Sequence, residues 1–463
     1  MMDSERNIHG KTYMNFLPCK LTKNSIYLLA FIFVAAFFIR VQFVRLTVDN
    51  LYIERDAKEY TLYAHNLFKH GIFSKAISEE KLQPDSFRSP GYPLFIALIM
   101  AAGGEQRYLP VLIYTQAILS ALLVPLTFFT GIYFIPASVA LVAAVLVALS
   151  PHLITITANV LTETLFAFLL LAAICCFQSA LANKHKVLFI ISAVFFGCAY
   201  LTNEASLFMP YGLSVVIYVL KFFDQKSFIK NGYFLKLVLF LLIFSFVPAA
   251  WFLRNHFNLS ADAKRGSDRA IATMSHGAYP NFIYKSLRYK RFPYREDPMQ
   301  PAFGASFENF IEIFWARVKN EPYRYSKWYL VGKPYYFWSW DIIQGVGDVY
   351  IYPVKTSLFE SSKAAKLTKV TMRFLHPIVL LLAFACIAFF FQNYRLQKTG
   401  DTLHSTALLP LAVCVYFTGI YMFFAPWPRY SIPLRPELYL CAVWSGTAIT
   451  KLFLNRWRRR NAQ

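Results

Sequence analysis

The sequence predicts an all-α, polytopic membrane protein, and three observations carry that expectation. Apolar residues make up 57% of the 463 residues and charged residues only 16%, a balance unlike that of soluble domains. The apolar residues come in long blocks instead of amphipathic periods, and blocks of about 20 with few charges cross hydrocarbon as helices. The basic residues behind the formal charge of +22 sit at block ends and in one long loop, the distribution of a membrane topology and not of a nucleic-acid-binding face.

Taken in chain order, the blocks give about 10 transmembrane helices, within a range of 9–12, at residues 25–45, 109–130, 134–151, 164–182, 187–203, 205–221, 235–253, 371–391, 404–426 and 430–453. The first follows Lys20 and Lys23 with no small-residue cleavage site behind it, so it is expected to stay as an uncleaved span. One apolar run is left out, residues 92–102. It lies between the helix-breaking Pro90, Gly91 and Pro93 and the pair Gly103 and Gly104, too short to cross and suited to an interfacial or re-entrant helix. Parity agrees. Short cytoplasmic loops carry excess Lys and Arg. The N-terminus, Lys184 with Lys186, the stretch with Lys221, Lys226, Lys230 and Lys236, Arg395 with Lys398, and the tail with Arg456 and Arg460 share one side only when residues 92–102 do not cross.

The same parity puts a first external loop, residues 46–108, on the non-cytoplasmic side, together with the turns at Glu163, at Asn203 and Glu204, and at residues 425–430. The chain divides into an N-terminal membrane region at 1–253, an external loop region at 254–370 and a C-terminal membrane region at 371–463. All cysteines except Cys19 lie in apolar stretches (Cys175, Cys176, Cys198, Cys386, Cys414, Cys441), which gives neither a disulfide framework nor a CxxC metal pattern. No Walker-type loop, GxGxxG, HExxH or nucleophile elbow occurs, so neither direct ATP use nor a soluble-enzyme site is supported.

Unusual polar residues gather on the external side. Asp56, Tyr60 and Tyr63 share one face of a helix that stops at His70 and Gly71. Asp56 followed by Glu59 is a capping-box pattern, and the same carboxylate beside a membrane-edge cavity would serve as a base toward an attacking hydroxyl. Arg88 either meets a phosphate through bidentate hydrogen bonds or snorkels to headgroups, and Arg40 in the first span invites the same two readings. Glu163 and Glu204 either reach water or face a site. Arg254 and Arg429 are interfacial anchors singly and a phosphate site if they converge. The amphipathic stretch 310–329 and the aromatics from Tyr335 to Trp340 fit an interfacial belt or stacking on a sugar ring.

Several pieces, in this order, resemble a known family across most of the chain at low detail. They are Asp56-Ala57-Lys58-Glu59-Tyr60 with Gly71, Arg88-Ser89-Pro90-Gly91-Tyr92-Pro93-Leu94-Phe95, Leu161-Thr162-Glu163, Ala199-Tyr200-Leu201-Thr202-Asn203-Glu204, Trp251-Phe252-Leu253-Arg254-Asn255, and Arg429-Tyr430-Ser431-Ile432-Pro433. They resemble the GT-C fold glycosyltransferases that use a polyprenyl-phosphate-linked sugar, the group containing protein O-mannosyltransferases and the lipid A aminoarabinose transferase. The resemblance implies a GT-C-like fold and Asp56 as general base. It also implies Arg88, Arg254, Arg429, Tyr60, Glu163 and Glu204 as lipid-phosphate or substrate-binding residues. Many relatives follow this Asp with an adjacent Glu. Here Ala57 follows and the nearest acids are Glu54 and Glu59, which leaves open a second catalytic carboxylate and a divalent metal.

The expected reaction is an inverting transfer from a polyprenyl-phosphate sugar to a lipid, glycan or protein acceptor at the non-cytoplasmic face of a bacterial inner (cell) membrane. Membrane lipids are further partners and nucleic acid is not. Two rivals stand beside it: a transporter or flippase of a lipid-linked or anionic substrate, for which no clear internal repeat is found, and a surface-polysaccharide ligase or polymerase.

Overall fold

Helices built almost wholly from Leu, Ile, Val, Phe and Ala satisfy their own backbone hydrogen bonds and can expose side chains to lipid. The computed structural model describes residues 21–47, 53–183, 185–222, 232–282, 292–342, 349–351, 354, 356–396 and 402–461, and among these all regular structure is helical. Lys184, Lys226, Lys230 and Lys398, expected in cytoplasmic turns, lie outside the described residues, as do Cys19 and Lys20.

The N-terminal half runs through α1 (Lys23–Thr47), α2 (Asp56–His70), α3 (Gly91–Gly103), α4 (Tyr108–Gly131), α5 (Ala137–Leu149), α6 (Pro151–Thr155), α7 (Glu163–Asn183), α8 (Lys186–Thr202), α9 (Met209–Phe222) and α10 (Tyr233–Asn258). A region of shorter helices follows with α11 (Gly266–Gly277), α12 (Pro293–Glu296), α13 (Gln300–Phe303), α14 (Phe307–Asn320), α15 (Pro322–Lys327), α16 (Lys333–Phe337) and α17 (Leu358–Ser361). Helices α18 (Lys363–Leu396), α19 (Thr402–Phe423) and α20 (Arg435–Asn461) complete the chain.

Five helices, α1, α4, α7, α10 over Phe234–Asn258 and α18 over Lys363–Phe390, are long and apolar enough to cross a membrane. They expose Phe31, Phe246, Phe252, Phe374 and Leu381, side chains that water would not tolerate in such number. The chain is an integral membrane protein. A sixth span forms if α5 and Pro151–Ala158, bent by 50°, count as one. That bend corrects the uninterrupted span expected at 134–151, because Pro151 cannot donate a backbone bond and its ring excludes the preceding turn. The spans expected at 187–203, 205–221 and 404–426 coincide with shorter apolar helices, Lys186–Thr202, Glu204–Val219 and Leu408–Phe423. The one expected at 430–453 starts in the 3-10 segment Pro428–Leu434 and continues in α20, and among the described residues a count of about 10 is not reached by full-length apolar helices alone. Residues 92–102 form the short helix α3.

Helix α4 is central, packed against α1, α5 and α7, while α7 leads to α8 and α8 to α10, and α20 joins α18 to α5. Arg40 explains part of this arrangement. It is fully buried and neither snorkels nor faces a site. Its Nη1 donates to the carbonyls of Ala36 and Ala148 (3.1 Å each), its Nη2 to that of Val147 (3.1 Å) and its Nε to Ser120 Oγ (2.7 Å). The break at Pro151 frees the last carbonyls of α5, and one guanidinium satisfies them in a medium without water.

Most aromatics between α10 and α18 are core. Tyr279, Phe282, Phe292, Tyr294, Phe303, Phe310, Trp328 and Trp427 form a buried cluster. Phe337, Trp338 and Trp340 are buried in the main core, which leaves Tyr335 as the exposed member of that run. His152 Nε2 meets the Trp340 carbonyl and His376 Nε2 the Trp338 carbonyl, each at 2.7 Å, so this segment is fastened to α6 and α18.

Candidate active site

Helix α2 begins after Arg55, whose φ of 52° is an uncommon conformation for a side-chain-bearing residue, and it ends at Gly71 in the left-handed region. No side chain caps its start. Asp56, the first helical residue, is not used as a cap; its carboxylate points to two arginines. Ala57, Tyr60, Tyr63 and Ala64 form the buried face of α2. Tyr63 donates its hydroxyl to Asp85, and Asp85 also accepts from the backbone amides of Lys75 (3.0 Å) and Phe87 (3.1 Å). The turn carrying Arg88 is thereby locked to α2.

Arg88 donates from Nε to Glu59 Oε2 (2.6 Å) and from Nη2 to Asp56 Oδ1 (2.7 Å), with its guanidinium 5.2 Å from the centre of the Tyr60 ring. Beyond it, Gly91 opens α3 so close to the Leu201 and Thr202 backbone that an added Cβ would lie 2.7 Å from Leu201 C. This contact brings the end of α8, and with it Asn203 and Glu204, up to the arginine turn. Tyr92 donates to Gln116 Oε1 (2.8 Å), and the Gln116 amide donates to the carbonyls of Thr157 and Asn159 (2.9 Å each). Those bonds fix the loop that leads to Glu163 at the start of α7, where the helix dipole favours a negative charge.

Arg429 arrives from the other end of the chain. It lies in the 3-10 segment Pro428–Leu434, donates from Nη2 to Asp56 Oδ2, and has its Nε 3.6 Å from Glu163 Oε1. The turn before it is clamped from outside. Lys333 Nζ donates to the carbonyls of Met422 (2.6 Å) and Phe424 (3.2 Å), a cation on the last carbonyls of α19. Trp328 Nε1 donates to the Gly277 carbonyl at 2.9 Å, and Gly277 lies against the Phe424–Ala425 backbone with no room for a Cβ.

The electrostatics follow from this geometry. Burial alone would push the Asp56 carboxyl up, but the Arg429 charge and then the Arg88 charge outweigh it and hold the group well below the usual carboxylate range. Burial likewise opposes the charge on Arg88, yet Tyr60, Asp56 and Glu59 raise its pKa. Burial raises Tyr60 and keeps it protonated at neutral pH. A third guanidinium belongs to the neighbourhood. Arg269 on α11 pairs with Glu204; burial lowers its pKa, and it feels Arg88, Tyr60, Tyr430 and Asp56.

The structure therefore brings Asp56, Tyr60, Arg88, Glu163 and Arg429 into one cluster and sets Glu204 at its edge through Arg269. It does not bring Arg254 there. That guanidinium donates to the carbonyls of Asp85 (2.9 Å) and Phe73 (3.4 Å) and stacks on Trp251 at 5.0 Å, so it braces the turn ahead of Arg88. Sequence does not assign two members to the site, although it marks Glu59 as a capping partner and a nearby acid. Glu59 follows Asp56 at helical spacing, which was the available signal, whereas Arg269 has no local motif. Among the described residues no group of three or more His, Cys, Asp or Glu is placed to hold a metal. Asp56, Glu59 and Glu163 each already face a guanidinium, a donor set that does not fit a divalent cation.

Residues 111–261 match a family described as dolichyl-phosphate-mannose-protein mannosyltransferase, so the resemblance drawn from the motifs is borne out over the stretch that contains Glu163, Glu204 and Arg254. No curated protein matches the chain. Among solved structures the chain is similar to ArnT from Cupriavidus metallidurans bound to undecaprenyl phosphate, at 12% identity and a TM-score of 0.47 over 92% of this chain and 60% of that one. It is also similar to the oligosaccharyltransferase AglB from Archaeoglobus fulgidus in complex with an inhibitory peptide and a dolichol-phosphate, at 14% identity and a TM-score of 0.48 over 96% and 52% of the two chains. The apo form of the Archaeoglobus fulgidus oligosaccharyltransferase gives 15% identity and a TM-score of 0.47 over 94% and 52%. The chain spans about half to three-fifths of the length of these proteins.

Proposed function

We propose that this chain is a GT-C-type membrane glycosyltransferase that moves a sugar from a polyprenyl-phosphate donor to an acceptor at the non-cytoplasmic face of a bacterial cell membrane. Asp56 is its general base. The match of residues 111–261 to a family named for a dolichyl-phosphate-linked sugar supports the donor class. The observation that carries the site is the meeting of Asp56 with Arg88 and Arg429, drawn from three distant segments and sharing one carboxylate.

In the resting protein the two guanidiniums neutralise Asp56. A lipid phosphate entering from the bilayer offers them a better bidentate partner. As Arg88 and Arg429 turn to the phosphate, Asp56 loses the charges that hold its pKa down and regains basicity. The acceptor hydroxyl then attacks the anomeric carbon, its proton passes to Asp56, and the carbon–oxygen bond to the phosphate breaks. The electron pair leaves with the lipid phosphate, whose charge the arginines hold. A single displacement of this kind inverts the anomeric centre.

Incubating the purified protein with polyprenyl-phosphate sugars and acceptor-bearing membrane extract should release free lipid phosphate. No release from any donor of this class would end the proposal. Movement of an intact donor between vesicle leaflets would favour a transporter, and a polymeric glycan product would favour a polymerase. Labelling of Lys264→Cys by an impermeant maleimide in intact cells tests the side, and labelling only after lysis would reverse it.

A further inference from the structure

Away from the arginine cluster, the region between α10 and α18 holds an open cavity of about 450 Å³. Its lining includes Tyr279, Asn281, Arg317, Asn320, Arg324 and Tyr325. The wall is preorganised. Asp297 Oδ2 accepts from the Tyr279 hydroxyl (2.5 Å) and from Arg317 Nη2 (2.6 Å), and the Arg317 guanidinium stacks 5.0 Å from the Tyr279 ring and 4.7 Å from that of Phe303. Asn281 is held at φ 58° with its side chain at the surface, a conformation asparagine tolerates better than most residues.

The chemistry of the lining selects the ligand. Both arginines are already balanced, Arg317 by Asp297 and Arg324 by Glu321 (2.7 Å), so there is no surplus cation to hold a phosphate. A purely apolar ligand would strand the amides and guanidiniums. A peptide taken through its backbone needs a strand edge, and none is offered among the described residues. Two buried tyrosines in the wall, a guanidinium fixed by Asp297 and the exposed amides of Asn281 and Asn320 offer several neutral or balanced hydrogen-bonding groups, a lining that suits a neutral, hydroxyl-rich ring. The cavity size is that of a small-ligand pocket.

Its position connects it to the proposed chemistry. Helix α11 carries Arg269 beside the Asp56 cluster and leads directly into Tyr279 at the cavity, roughly 15 Å farther at 1.5 Å per residue. We propose that this cavity is a saccharide subsite that holds the glycan acceptor while its reacting end reaches Asp56. The proposal rests on the glycosyltransferase reading for the acceptor role and on the cavity alone for saccharide binding.

The test is saturation-transfer NMR on the full chain in detergent with millimolar cellotriose, mannotriose and chitotriose. The expected result is saturation transfer to at least one of them, with affinity weakened roughly tenfold in the Asn320→Ala/Arg324→Ala double variant and unchanged in Lys319→Ala on the same helix. Transfer to none of the three, or equal affinity in the double variant, overturns the subsite. Release of lipid phosphate by the unsubstituted protein is measured in the same preparations. Saccharide binding without release removes the acceptor role and leaves a saccharide site; release without binding removes the subsite and leaves the enzyme.

Discussion

Replacing Asp56 by Asn separates the structural from the chemical use of one carboxylate. Its side chain is 23% exposed and lies between Arg88 and Arg429, which are 12% and 8% exposed. At an effective dielectric near 20, two unit charges about 4 Å apart attract by about 4 kcal/mol, and desolvating each ion costs several kcal/mol. The intact pairs therefore contribute little net stability; breaking a buried pair outright costs about 3–5 kcal/mol, a ceiling here because Arg88 keeps Glu59 and Arg429 keeps Glu163. Asparagine keeps one oxygen as acceptor. Glu59 still faces Arg88 and Glu163 still faces Arg429 after the substitution. We expect a loss of about 2 kcal/mol and a melting shift of a few degrees.

The chemical loss should be larger. A positioned general base contributes about 10²–10⁴-fold, so release of lipid phosphate should fall at least 100-fold in Asp56→Asn while scanning fluorimetry in detergent shows a folded protein. Release within threefold of the unsubstituted protein, at equal folding, would refute the role of Asp56 and with it the exchange of arginine partners.

Other outcomes follow from single contacts. Arg429→Lys keeps the charge but loses the fork shared between Asp56 and Glu163, so lipid-phosphate release should drop at least tenfold; an unchanged rate would show that charge alone suffices. Gly277→Ala places a Cβ 2.6 Å from the Ala425 nitrogen and should displace the turn bearing Arg429, lowering both melting temperature and activity. Burial and then the Arg295 charge lower His276 from 6.5 to about 4. The unfolded chain binds its proton first, so stability should fall by about 3 kcal/mol as pH drops from about 6.5 to about 4. His276→Phe, which keeps the stack on Tyr294, should flatten that limb in pH-dependent melts. The acid limb of kcat, which reports the donor complex, should lie at higher pH than that of kcat/KM, which reports the free protein; coincident limbs would show that Asp56 is not released from its arginines.

The membrane character was legible because hydrocarbon sets both the length and the composition of a crossing helix, and both are properties of contiguous sequence. The break at Pro151 was not, since residues 134–151 read as one apolar block that ends at the proline, while the helical path bends there and continues to Ala158. Arg40 misled for a related reason. Sequence shows an arginine inside a span, but its partners are carbonyls on α5 more than 100 positions away. The run from Phe337 to Trp340 was equally ambiguous, because interfacial and core positions both favour aromatic rings and only the packing tells them apart.

The candidate cluster was legible only in part: Asp56, Tyr60, Arg88, Glu163 and Arg429 stood out in the sequence, Arg269 did not, Arg254 braces a turn instead, and the connections were not legible. Asp56 and Arg429 are separated by 373 positions, and nothing local to either says that they share a bond. The capping-box reading of Asp56 and Glu59 used a correct spacing for the wrong purpose: i and i+3 on α2 place both carboxylates toward Arg88, and the helix start goes uncapped. That uncapped start and the uncommon φ of Arg55 are costs that local structure alone would avoid. On the proposed mechanism they have a use: the carboxylate would stay free of its own backbone amides and be held by arginines that a phosphate could take away. An aspartate capping α2 would keep its hydrogen bonds when the donor arrives and stay a weak base. On the proposed mechanism, one held only by exchangeable guanidiniums would become basic when the phosphate is in place, which would confine the proton transfer to the loaded site.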